Sequence, residues 1–262
     1  MDKSIHTELA SVLKYLRMPA IRNTYRDVAE TARQESLSYE EFLLQLVSYE
    51  HQERKQNRIN RELKASRLPI EKSLKAFNRH RLPPKINSQL GALLDGSFLD
   101  RSENVLAFGN PGSGKTHLLC AIGQELIYQG YKICFKPCSL LVQELLVAKK
   151  ELRLAKLLKH FNRYDALIID DIGYVQHDRN EMEVLFTLLA DRYEQKSVML
   201  TSNLPFSQWE RIFKDPMTTA AAIDRLVHHS IILELNVQSY RLEESKKNKT
   251  AELMPKLNGT NG

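Results

Sequence analysis

The run LAFGNPGSGKTHLL, residues 106–119, constrains this chain more than any other stretch. Within it Gly109, Gly114, Lys115 and Thr116 satisfy G-x-x-x-x-G-K-[ST], a pattern whose backbone N–H groups wrap phosphates. That job requires a strand before the loop and a helix after it. NVLAF has the composition of a buried strand, and KTHLLCAIGQELIY puts Leu118, Leu119, Ile122 and Leu126 on one side of a helix. The segment Gly109, Asn110, Pro111, Gly112, Ser113, Gly114, Lys115, Thr116 and His117 is therefore expected to cradle a nucleotide. Lys115 would reach the terminal phosphates and the Thr116 hydroxyl would ligate magnesium, with the positive helix end adding to the attraction.

A nucleoside triphosphatase also needs an acid at the end of a neighbouring strand. ALIIDD supplies two, bringing Asp170 and Asp171 to the carboxyl edge of a sheet, where ligands of α/β folds bind. Asp170 would hold Mg2+, directly or through water, and Asp171 would polarise the attacking water. The alternative is a pair of surface acids capping a helix. SVMLTSN ends a third strand in Thr201, Ser202 and Asn203, and the Asn203 amide could orient that water. Alone, such a run reads as a strand end and turn, so its role rests on the other two motifs.

Apolar and helical runs alternate along the rest of the chain: ENVLAFG, a helix over 115–129, KICFK, a long helical stretch over 139–163, ALIIDD, a helix over 180–195, SVMLTSN, a mostly helical 206–229 and SIILEL. Alternation of this kind predicts a parallel sheet wrapped by helices. Residues 1–67 read as a helical domain, since they contain no Gly and only Pro19, and Ser38 with Glu41 forms a capping box. LPIEKSLKAFNRHRLPP, over 68–84, reads as a Pro-bounded basic connector, 85–242 as the nucleotide-binding domain and 243–262 as a disordered tail.

Charge is uneven: residues 1–90 hold 17 Lys and Arg against 11 Asp and Glu, whereas 91–262 hold 21 of each. A local excess of this sign points to a polyanion, nucleic acid first. No run approaches the roughly 18 apolar residues of a membrane span, and charges break the N-terminal stretch where a secretory signal would be apolar. The expectation is a cytoplasmic protein without a membrane partner. Cys120, Cys134 and Cys138 form no disulfide framework and no zinc-finger spacing, and read as small buried residues. His228 and His229 would point about 100° apart on a helix, which suits a metal poorly.

GNPGSGKTHL, LIIDDIGY, LTSNLPFSQWERIF, AAAIDRLVHHS and SYRL resemble, in order and spacing, the IstB helper ATPases of bacterial insertion sequences. Those proteins are related to the DnaC helicase loaders within the AAA+ initiator clade. The resemblance spans about residues 35–245, and RLVHHS and SYRL discriminate better than the phosphate loop. It implies an α/β fold: an AAA+ P-loop core with a five-stranded parallel sheet and helices on both faces, after a small all-helical domain. It further implies a homo-oligomeric ring or spiral on duplex DNA, ATP and Mg2+ bound between subunits, and a partner transposase. Arg225 in DRL resembles an arginine finger acting on a neighbour's ATP, and Arg241 in SYR resembles the second sensor arginine. Read without the family, they are an Asp224–Arg225 surface contact and an ordinary basic C-terminus. One departure concerns Asp171, where AAA+ proteins commonly carry Glu; its carboxylate is one methylene shorter, so hydrolysis could be slow or use a shifted water.

KKELRLAKLLKHFNR places Lys149, Arg153, Lys156, His160 and Arg163 at offsets of 0, 4, 7, 11 and 14, one stripe if the segment is a single helix. A solvated face is the ordinary reading. In the clade named above, an added helical element here faces DNA, so Lys149, Lys150, Arg153, Lys156 and Arg163 become candidates for phosphate contact without base readout. Two other functions fit the same residues: a DnaC-like loader gripping a replicative helicase, and a nucleotide-gated DNA scaffold with little hydrolysis.

Overall fold

Five apolar runs become strands in the computed structural model, which describes residues 2–173, 179–209, 216–237 and 239–240. They are β1 (Asn104–Gly109), β2 (Ile133–Pro137), β3 (Ala166–Asp170), β4 (Ser197–Ser202) and β5 (Ser230–Leu235). Every neighbouring pair is parallel, in the order β2-β3-β4-β1-β5. Parallel sheets are covered on both faces, so their strands carry unbroken apolar runs. The first four residues of β1, β2 and β3 and all six of β4 are buried accordingly.

The helices are α1 (Asp2–Tyr15), α2 (Pro19–Gln34), α3 (Tyr39–Ser66), α4 (Pro84–Asp95), α5 (Ser97–Asp100), α6 (Lys115–Gln129), α7 (Cys138–Lys150), α8 (Leu154–Phe161), α9 (Arg179–Arg192) and α10 (Pro216–Val227). Alternate strand residues face opposite layers. Ile133 and Ile168 face α6, so closely that a Cβ on Gly123 would lie 2.9 Å from Ile168 Cδ1. Cys134, Leu167, Ile169 and Leu200 pack instead with Leu141 and Leu145 of α7, Leu185 and Leu188 of α9, and Leu226 of α10. Helices thus cover both faces, as the alternation predicts. Cys120, Cys134 and Cys138 are free and buried, and burial pushes their thiols up to about 12, 11 and 12 respectively.

The chain divides into two compact units, residues 1–61 and 62–262, with the division inside α3. In the first, Leu13, Ile21, Tyr25, Val28 and Leu46 form the core. Glu50, buried, accepts from the Ala20 and Ile21 N–H groups at 2.9 and 3.3 Å and pairs with Arg54 at 2.8 Å. A carboxylate is thereby held against the N-terminus of α2, where unpaired N–H groups and the helix dipole favour it. The capping box of α3 also forms: Ser38 N–H donates to Glu41 at 2.8 Å and Glu41 N–H to Ser38 Oγ at 3.2 Å.

In the second unit, residues 67–83 do not hang free. Gln124 Nε2 on α6 donates to the Pro69 carbonyl at 2.9 Å, and a 3-10 turn, Arg79–Arg81, precedes α4. Arg192 is fully buried at the end of α9 and donates to the carbonyls of Phe161, Tyr164 and Ser197 at 2.9, 3.1 and 2.9 Å. Burial pulls its pKa down to about 10, and the three carbonyls offset the cost of keeping the guanidinium charged there.

The helix expected over 139–163 is two helices. α7 ends where Leu152 adopts φ 56, with Arg153 N–H bonded to Ala148 O at 2.7 Å and Leu152 N–H to Lys149 O at 3.1 Å. This is a left-handed helix stop in which leucine occupies the position usual for glycine. α8 begins only after this stop, so the expected basic stripe is divided between two helices and is not one face of one helix.

Candidate functional site

The carboxyl ends of β1, β3 and β4 converge, with β4 between the other two. β1 runs into the glycine loop at Gly109, where a Cβ would overlap the Leu235 carbonyl of β5, so only glycine lets the strand turn there. Gly114 caps α6, and Ser113 Oγ is buried without a hydrogen-bond partner, an open donor inside the loop. Lys115 is largely buried, and its ammonium donates to the Gly109 and Asn110 carbonyls at 2.8 and 2.9 Å.

Opposite the loop, Asp170 Oδ1 accepts two hydroxyls, Thr116 Oγ1 and Thr201 Oγ1, each at 2.7 Å. Thr201 Oγ1 in turn accepts the Asp171 N–H at 2.8 Å, and its carbonyl accepts Ile172 N–H at 3.1 Å. Asp171 leaves the strand at φ 68. Had β3 continued, successive side chains would face opposite sides of the sheet. The left-handed turn instead lets both acids line one cleft of about 400 Å³, with Gly112, Gly114, Lys115, Thr116 and His117.

The residues present fit a magnesium-bound triphosphate. A hydroxyl and a carboxylate are the hard oxygen ligands Mg2+ takes, beside a lysine and the N-terminus of a helix. Thr116 could donate to Asp170 and still offer lone pairs to the metal.

The other walls of the cleft come from Lys72, Ala76, Phe77, Asn78 and Tyr240, which the sequence reading missed. The Phe77 and His117 rings meet edge to face at 5.1 Å, and His117 Nε2 lies 3.0 Å from the Ser73 carbonyl. Tyr240 N–H donates to the Gly112 carbonyl at 3.0 Å, and the Arg81 guanidinium lies 3.9 Å above the Tyr240 ring. The strand-end pattern points to the Asn203 amide, whereas the structure brings the Thr201 hydroxyl to Asp170. Asn203 does not line the cleft; its Oδ1 is buried without a partner and faces Gly173.

Arg225 on α10 also lies outside the cleft, its guanidinium 4.7 Å from the Phe186 ring centroid and bonded to Ala221 O at 3.4 Å. Arg241 lies outside the described residues, as does the tail over 243–262. Of the basic candidates, Arg153 and Lys156 come together with His160 at a cavity of about 560 Å³ between α7 and α8. Lys149 pairs with Glu183 at 2.8 Å and Arg153 with Glu151; Lys150 and Arg163 are exposed.

A parallel β2-β3-β4-β1-β5 sheet with a phosphate loop after β1 and acids after β3 defines an AAA+ P-loop core. Solved structures share it at the level of fold: the DnaC helicase loader (TM-score 0.54, 17% identity, 64% of this chain and 98% of that one) and AMPPCP-bound DnaA from Aquifex aeolicus (0.53, 18%, 71% and 56%). Residues 11–248 match the family described as IstB-like ATP binding protein, and the chain belongs to that family. Similar relatives are named as insertion sequence ATP-binding proteins. One from Sinorhizobium fredii is 41% identical over 91% of this chain and 82% of its own length. That of IS5376 from Geobacillus stearothermophilus is 40% identical (88% and 92%), and that of IS21 from Pseudomonas aeruginosa 38% (92% and 91%). Among the described residues no helix is long and apolar enough to cross a membrane.

Two substitutions separate the halves of the site. Lys115→Ala should abolish measurable ATP binding in a calorimetric titration, because the cation expected to meet the terminal phosphates is lost; parental affinity would refute the cleft. Thr201→Val removes one donor to Asp170 and orphans the Asp171 N–H. It should cost about 1–3 kcal/mol of stability in denaturant unfolding and weaken magnesium-dependent ATP binding, whereas an unchanged midpoint would show that the hydroxyl is dispensable.

Proposed function

We propose that this chain is an ATP-dependent helper of transposition that assembles on target DNA and presents it to a partner transposase, with hydrolysis driving disassembly. The observation that carries the ATPase part is the triple junction at Asp170: a hydroxyl from the phosphate loop and one from β4 meet on a single carboxylate oxygen beside Lys115. The transposition part is supported by relatives named for insertion sequences.

In this reading Mg2+ and ATP occupy the cleft. Thr116 and Asp170 hold the metal, which when bound neutralises charge developing on the phosphates. Gly109, Asn110, Pro111, Gly112, Ser113, Gly114, Lys115 and His117 cradle the nucleotide. Asp171 takes up the proton of the attacking water. Asn203, just after β4 and outside the cleft lining, is the amide that orients the water in this reading, which requires it to turn away from Gly173 when nucleotide binds. Arg225 acts on the ATP of a neighbouring copy, which suits its position outside its own cleft. Arg241 is the sensor arginine, one residue beyond Tyr240. Residues 1–67 serve assembly or partner contacts, 68–84 connect, and 85–242 form the ATPase domain, working in the cytoplasm.

DNA lies along the α7–α8 elbow, where the basic candidates sit among polar and apolar neighbours with no base-reading module, so contact is with phosphates. Recovery of a transposase rather than a replicative helicase with the tagged protein would separate this function from helicase loading.

Asp171→Asn should bind ATP normally and lose turnover by tenfold or more, since an amide can hold a water but cannot accept its proton. Phosphate release at the parental rate would remove Asp171 from the chemistry.

Replacing Lys149, Arg153 and Lys156 together by Ala should weaken duplex binding about equally for all sequences and make the slope of log affinity against log salt shallower by about 2.7 per subunit, at ~0.9 per phosphate contact. Loss confined to particular sequences would imply base readout, and an unchanged slope would mean a solvated surface.

A further inference from the structure

Two helices of the ATPase unit end beside each other. α9 stops at Arg192 and the chain turns through Tyr193 and Glu194, the latter at φ 58. α10 packs on α9, stops at Val227 and turns through His228 and His229. Because that helix is over before the histidines begin, the divergence expected of helical neighbours does not hold. Their ring centroids lie 4.1 Å apart. The candidate ligand atoms of Glu194, His228 and His229 all fall within 4.8 Å of one another, and the three residues are exposed.

We propose that Glu194, His228 and His229 form a binding site for one divalent cation of the zinc class, separate from the magnesium position at Asp170. Two imidazoles and a carboxylate are the donor set of open zinc sites, and imidazole selects zinc, copper or nickel over magnesium. Two nitrogens bound to tetrahedral zinc at ~2.0–2.1 Å lie about 3.3 Å apart, which exposed side chains can reach by small rotations. The neighbouring residue supports the assignment. Tyr193 Oη lies 3.0 Å from His228 Nδ1, so Nδ1–H can donate to the phenol oxygen and leave Nε2 for the metal. The carboxyl ends of two helices add partial negative charge where the cation would sit. With three protein ligands on an exposed turn, the remaining position is open to water. A bound ion would tie the end of α9 to the end of α10 and stabilise the folded state by mass action.

The test uses the full chain, free of any affinity tag, stripped with chelator and titrated with Zn2+ or Co2+ in the absence of nucleotide. The expected result is saturable binding of one equivalent, a Co2+ visible spectrum of low coordination number, and a Tm that rises with Zn2+. His228→Ala and His229→Ala should each lower the affinity by tenfold or more, and Glu194→Gln should lower it measurably. All three should keep parental ATP affinity, which shows that they are folded. The proposal is overturned if the parent shows no saturable one-equivalent binding, or if the double variant His228→Ala/His229→Ala binds zinc as tightly as the parent. Zinc that is displaced by Mg2+ and ATP and persists in the double variant belongs to the Asp170 site, and also overturns it.

Discussion

The two hydroxyls on Asp170 Oδ1 hold the functional edge of the sheet together. Thr116 belongs to the first turn of α6, Asp170 to the end of β3 and Thr201 to the end of β4, so three elements remote in sequence meet on one atom. Both donors satisfy the same oxygen, and the second carboxylate oxygen remains available for other partners. Thr201, almost wholly buried, does more than donate: its hydroxyl receives the Asp171 N–H and its carbonyl the Ile172 N–H. One side chain therefore fixes the position of the first acid and the backbone of the second. A parallel sheet alone would align the strand ends without setting this geometry.

The fold was legible because parallel strands buried on both faces leave apolar runs, as in VLA, ICF, ALII and VML, whereas SIILEL, on the edge strand β5, is only partly buried and carries exposed Glu234. The phosphate loop was legible because its glycines answer backbone demands, such as the approach of Leu235 to Gly109. Other features had no local signature. The α7–α8 break falls at Leu152, a good helix former set in a stretch whose basic residues keep helical spacing; it ends α7 with an exposed side chain in a conformation leucine rarely adopts. Which of Thr201, Ser202 and Asn203 meets the acids depends on the alignment of β4 with β3, a tertiary fact. Phe77 and Lys72 were invisible for a similar reason, since a stretch without periodicity reads as a linker even when it walls a cleft.

That connector alters how the cleft should be understood. Its far wall, Lys72, Ala76, Phe77 and Asn78, comes from chain that precedes β1, while Tyr240 comes from chain that follows β5. The two meet directly: Tyr240 Oη donates to the Asn78 carbonyl at 3.3 Å, and Arg81 covers the Tyr240 ring. The glycine-loop side of the cleft is thus built at the ends of the central strands, and the opposite side by two segments that contact each other, the loop and α6. Cation–π and single hydrogen-bond contacts at a surface contribute about 1 kcal/mol each, far less than a buried strand.

The bonds to Thr201 also account for the conformation of Asp171. A non-glycine residue at φ 68 costs roughly 1–2 kcal/mol, so something must hold it. The Asp171 N–H bond to Thr201 and the Ile172 N–H bond to the Thr201 carbonyl together are of that size. The strain is useful because it breaks the strand's alternation and keeps two adjacent carboxylates on one side of the sheet. A glutamate in the same backbone position would reach one methylene further into the cleft. The shorter aspartate brings its carboxylate less far.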